Sequence, residues 1–182
     1  MKQLALALAL AGTCALSAFA APAGALETFE ARVAASDASM QARFDMLETF
    51  GPRDLKPGDY IWRDVPASAG EERVVVSLGD QMAYLYRGNT LVAASTISSG
   101  KPGTDTPPGI FSVLEKKPMH HSRKYDNAPM PFMQRIDQYG IALHAGFNPG
   151  QPASHGCVRL PKPFAQKLFA STEVGTPVLI GA

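Results

Sequence analysis

Residues 73–97, RVVVSLGDQMAYLYRGNTLVAASTI, decide the fold class. Val74, Val75 and Val76 form a β-branched run. Two heavy atoms on Cβ restrict χ1, so such residues suit a pleated strand better than a helix. Gly79-Asp80 is a turn signal. Met82, Tyr84 and Tyr86 then alternate with Ala83 and Leu85, the period of two that a strand imposes. Arg87-Gly88-Asn89 makes a second turn, and 91–97 is another apolar run. Short strands joined by tight turns read as a meander.

The same texture continues toward the C-terminus. Gly100-Lys101-Pro102-Gly103 and Thr106-Pro107-Pro108-Gly109 are turns, followed by a strand over 109–114. Residues 140–144 read as a strand ending on His144, and 174–180 as a closing strand. The segment 163–169 reads as a short helix, with a proline near its start and Phe164, Leu168 and Phe169 on its apolar face. There is no βαβ alternation, so the expected fold is mainly β with a few short helices.

Upstream, 26–50 has helical character. Phe29, Val33, Met40, Phe44 and Leu47 recur at three-, four- and seven-residue spacings. They suit either a helix packed on the domain or a partly ordered N-terminal arm. Gly51-Pro52 ends the segment, Lys56-Pro57-Gly58-Asp59 is a turn, and Ala67-Ser68-Ala69-Gly70 reads as a linker. The extreme N-terminus has the form of an export leader: Lys2, an apolar run over 4–10, and the small-residue site Ala18-Phe19-Ala20. The expected division is 1–20 signal peptide, 21–71 helical arm and linker, and 72–182 main domain. The run over 4–10 is short against the ~20 apolar residues of a bilayer span, so no stable membrane span is expected.

At 182 residues and 46% hydrophobic content the chain can bury a real core. Its formal net charge is +1, and removing Lys2 leaves 16 basic residues against 16 acidic. The basic residues are scattered, with no basic stripe interleaved with aromatics, so nucleic acid is not an expected partner. Cys14 falls in the leader, which leaves Cys157 as the one thiol of an exported chain. It has no internal disulfide partner in an oxidising compartment, so its presence calls for a function.

Its surroundings offer one. A nucleophilic cysteine needs a base, donors for an oxyanion, and room for substrate. Cys157 ends Ser154-His155-Gly156-Cys157. His144 sits at a strand end, a rigid place for an imidazole. Gly156 removes a side chain beside the thiol, so the amides of His155, Gly156 and Cys157 are candidate oxyanion donors. His155 is placed to polarise the site or contact substrate. Arg159 can bind a substrate carboxylate bidentately or pair with an internal acid. His120-His121, within the basic run 116–124, lacks metal-ligand spacing and reads as a solvated loop whose charge could attract carboxylates. Met130-Pro131-Phe132-Met133 suits either a groove wall or core.

The pattern His144-Ala145-Gly146…Ser154-His155-Gly156-Cys157-Val158-Arg159-Leu160 resembles the catalytic motif of the L,D-transpeptidase (YkuD-type) domain. The resemblance spans about 73–181 and includes Gly100-Lys101…Thr106-Pro107-Pro108-Gly109-Ile110-Phe111. It implies a β-sandwich catalytic domain over 72–182, with Tyr60 and Trp62 covering an edge. It also implies a thioester between Cys157 and a peptidoglycan stem peptide. His144 would be proton acceptor and donor, with Ser154, His155, Gly156 and Arg159 in support. No metal or organic cofactor is expected. The expected location is beyond the inner membrane, periplasmic or cell-wall associated. The stretch between His144 and Ser154 is shorter than the family's commoner form, which leaves the acceptor open: a second stem, a wall protein, or water in an L,D-carboxypeptidase or hydrolase. An inactive wall-binding module, docking a partner through 26–50, is the alternative of another class. Self-pairing is not decided by the sequence, and a monomer is the working expectation.

Overall fold

The computed structural model describes residues 25–182, so the leader lies outside the described residues. The elements in chain order are α1 (Phe29–Phe50), β1 (Tyr60–Trp62), β2 (Glu72–Ser77), β3 (Met82–Arg87), β4 (Thr90–Thr96), β5 (Gly109–Ser112), β6 (Glu115–His121), β7 (Pro129–Arg135), β8 (Ala142–Ala145), β9 (Val158–Leu160), α2 (Lys162–Ser171) and β10 (Pro177–Gly181). The expected meander is β2-β3-β4, paired antiparallel in order. It lies within a six-stranded sheet of order β1-β4-β3-β2-β10-β5, where the closing strand runs parallel to β2. The second sheet has the order β6-β7-β8-β9. The fold is mainly β, as expected.

Alternation along the strands of the large sheet feeds two cores. Val74, Val76, Leu85, Val178 and Ile180 face the second sheet, where Leu143, Ala145, Val158 and Leu160 meet them and Phe164 and Leu168 of α2 close the layer. Val75, Tyr84, Tyr86 and Ala94 face the other way, onto Ala42 and Met46 of α1. The meander is therefore buried on both faces, which is why its sequence is apolar almost throughout. Each large side chain so buried contributes about 1.5–3 kcal/mol. Tyr60 and Trp62 lie against the Phe164 ring at 5.9 and 6.0 Å between centroids, so β1 covers the sheet edge as expected.

Two elements differ from their sequence reading. The helix at 26–50 exists, capped by the Thr28 side chain accepting from Ala31 N at 3.2 Å, and at 22 residues it is not short. Its packed face, however, is Ala31, Ala35, Ser39, Ala42 and Met46, while Phe29 is 77% and Met40 59% exposed. The reason is proximity. A Cβ on Gly181 of β10 would stand 2.4 Å from Ser39 Oγ and 2.6 Å from Ala35 O, so only small side chains fit where the helix passes β10. The basic run at 116–124 is also not a loop. Most of it is β6, a sheet-edge strand paired with β7 in a hairpin. An edge strand carries charge readily, and that charge hid its strand character.

Candidate active site

β8 and β9 run parallel, with Leu143 opposite Val158 and His144 opposite Arg159. Alternation sends Leu143, Ala145, Val158 and Leu160 into the core and leaves His144 and Arg159 on the opposite face. Cys157 precedes Arg159 by two residues and shares that side. All three line one cavity of about 1030 Å³. Adjacent parallel strands thus bring together the two residues that the sequence singled out for chemistry.

The Ser154–Cys157 turn is built to hold one shape. Ser154, 1% exposed, donates its hydroxyl to the Cys157 carbonyl and accepts from Gly156 N at 3.1 Å. Gly156 has φ +113°, a backbone conformation that favours glycine, and a Cβ there would lie 2.5 Å from the Ile141 Cδ1 methyl, which would have to shift. In this resting state the Gly156 N–H is given to Ser154 Oγ. The 100–106 loop braces the turn from outside. Thr106 Oγ1 donates to Gly156 O and accepts from Gly100 N, both at 2.8 Å, and Lys101 N donates to Ser154 O at 3.0 Å.

His144 is 8% exposed, and its Nδ1 lies 2.9 Å from the Ala145 carbonyl. A carbonyl only accepts, so Nδ1 carries the hydrogen and Nε2 the lone pair. Burial pushes the imidazole pKa below its ordinary 6.5, and the Arg159 and His120 charges push the same way against the Ala145 bond. Burial pushes the Cys157 thiol above its ordinary 9.0, opposed by a backbone bond from Ala142 and by the Arg159 charge. The resting pair is therefore a neutral thiol and a neutral imidazole. The thiol points at the Gly140 carbonyl, 3.7 Å away.

That carbonyl is placed by Asp137, which the sequence reading missed. Asp137, 2% exposed, accepts from the amides of Tyr139, Gly140 and Ile141 at 2.9, 2.7 and 2.7 Å. Asp137-Gln138-Tyr139-Gly140 has the composition of an Asx turn, a signal that was available. Tyr125 was also missed. It comes from the β6–β7 connection and stacks on the His155 ring, 4.5 Å between centroids at 21°. Only the fold could bring it there.

The cavity walls are basic. Lys117, His120, Arg123 and Lys124 from the hairpin, with Arg159, line it. Arg159 makes no ion pair among the described residues, so the internal-acid reading fails and its guanidinium stays available to a ligand. Its stem crosses Gly146, where a Cβ would stand 3.0 Å from Arg159 Cγ. Met130 and Met133 are both core and wall, clustered with Ala142 beneath Cys157. Among the described residues, no three His, Cys, Asp or Glu side chains are grouped to hold a metal ion, and no helix is long and apolar enough to cross a membrane.

A two-sheet β body carrying a histidine on one strand and a cysteine in the turn that leads into the neighbouring parallel strand is the arrangement of an L,D-transpeptidase fold. The comparisons agree. The YkuD L,D-transpeptidase catalytic domain family matches residues 71–180, and the chain belongs to that family. Among solved structures, an L,D-transpeptidase from Xylanimonas cellulosilytica is 26% identical with a TM-score of 0.57, covering 65% of this chain and 64% of that one. One from Mycobacterium smegmatis is 23% identical, TM-score 0.56, covering 62% and 59%. L,D-transpeptidase 1 of Mycobacterium tuberculosis is 21% identical, TM-score 0.54, covering 62% of each chain. The chain thus spans about three-fifths of the length of these relatives. No curated protein sequence matches it.

Proposed function

We propose that the protein is an exported peptidoglycan L,D-transpeptidase working through a Cys157 thioester. The observation that carries this reading is that Cys157, immediately before β9, and His144, on the adjacent strand β8, line one basic cavity. A tetrapeptide stem lies along the cavity with its carboxylates toward Arg159 and the hairpin lysines. Cys157 Sγ attacks the carbonyl of the diamino-acid residue while His144 Nε2 takes the thiol proton. The resting pair is neutral, so proton transfer accompanies attack. The oxyanion is met by amides of the turn, those of His155, Gly156 and Cys157.

Collapse breaks the C–N bond, and His144 hands its proton to the departing D-residue amine. An acceptor amine then attacks the thioester. His144 takes a proton from that amine and returns one to sulfur, leaving an amide cross-link and a free thiol. The leader places this chemistry in the periplasm or at the wall. The test is mass spectrometry of muropeptides incubated with purified protein. A peptide dimer is expected from the wild type, with a loss of at least about 10³-fold in Cys157→Ala and His144→Ala. A shortened monomer as the sole product would make the enzyme an L,D-carboxypeptidase, and undiminished dimer from either variant would refute the assignment.

A further inference from the structure

α1 lies outside the family's catalytic match, which begins at residue 71, and the side chains it buries are small ones and Met46. Its outer face carries Phe29, Val33, Met40, Phe44 and Leu47, with exposures of 77, 43, 59, 55 and 47%. At 100° per residue these five fall in one narrow stripe along a helix of 22 residues. Large apolar side chains in such an unbroken stripe mark an interaction surface.

The residues beside the stripe identify the occupant. Phe29, Arg32, Val33 and Asp37 recur eleven residues later as Met40, Arg43, Phe44 and Glu48. Eleven residues make close to three helical turns, so each repeated position stays in line along the axis. One flank of the stripe therefore carries Arg32 and Arg43, and the other carries Asp37 and Glu48, with Glu30 beside them. All of these are exposed. Arg43 is held only by a surface pair with Asp80 at 3.0 Å. In each repeat the arginine precedes the acid by five residues, the offset of flanking charges that meet across a parallel helix pair. The helix is also net acidic, since Glu30, Asp37, Asp45 and Glu48 outnumber Arg32 and Arg43. That disfavours an anionic lipid surface.

We propose that α1 pairs in parallel with α1 of a second copy of this chain, stripe on stripe. Arg32 and Arg43 of each copy then face Asp37 and Glu48 of the other. An antiparallel pair would set like flanks against each other, so the charge pattern selects the parallel one. The pairing uses no residue of the catalytic cavity and leaves both cavities open.

Sedimentation velocity on the purified chain over a dilution series tests it. The wild type should run as a monomer–dimer equilibrium. Met40→Glu, an exposed substitution that leaves the circular dichroism unchanged, should weaken dimerisation well over about tenfold. The charge variants test the geometry. Arg32→Glu with Arg43→Glu, and separately Asp37→Arg with Glu48→Arg, should each dimerise about tenfold more weakly, while an equimolar mixture should form heterodimers at wild-type strength. A wild type that stays monomeric overturns the proposal, whether another partner, a membrane or residues 1–24 cover the stripe. A dimer indifferent to Met40→Glu overturns it too, and a mixture that fails to restore pairing overturns the parallel arrangement.

Discussion

At Cys157 and His144, burial sets the protonation states and backbone contacts set the aim. The imidazole is held neutral below its ordinary range, first by burial. The base is therefore ready at pH values where an exposed histidine would already be charged. The sign follows directly: a folded pKa below 6.5 means the neutral base persists as pH falls through 6.5 and is lost only below it. The acid limb of the acylation rate should lie below pH 6.5, and a limb centred above it would contradict the assigned environment. Folding stability has the same origin. The unfolded histidine takes up a proton at higher pH than the buried one, so stability should decline as pH falls below that ordinary value. Both residues were legible because their signals are local: one thiol beyond the expected leader, a flanking glycine, and a strand-end histidine. Asp137 and Tyr125 were not, since the first acts through a carbonyl and the second arrives across a hairpin.

At the level of elements, the meander was readable because alternation and turn residues are properties of neighbours in sequence. The insertion of β10 parallel to β2 was not, since it joins residues about a hundred positions apart. α1 shows a different limit. Its large apolar residues gave a genuine helical period, yet the face that packs is mostly small, because Gly181 brings sheet and helix close at Ala35 and Ser39. Placing a side chain there tests this contact. Gly181→Val should destabilise the protein by about 1–3 kcal/mol through overpacking, seen as a lowered Tm, and Ser39→Ala in the same chain should recover part of it. An unchanged Tm would mean that α1 does not press on β10. The β6–β7 hairpin was hidden by its lysines, which sit on an edge strand, Lys117 lining the cavity and Lys116 reaching the carbonyls at the end of α2.

Across the whole molecule, a two-sheet body holds a rigid strand pair beneath a basic cleft, and α1 adds an outward apolar face on the opposite side of the large sheet. The cleft lies within the residues the family model matches, while the helix lies outside them. The proposed function turns on a covalent step at sulfur. Intact-mass spectrometry of the protein incubated with a tetrapeptide stem, followed by peptide mapping, reads that step directly. The expected result is an adduct equal to the stem less its terminal residue, mapped to Cys157 and absent from Cys157→Ser. No adduct on active protein, or an adduct on any other residue, would contradict the thioester and with it the assigned role of the Cys157–His144 pair.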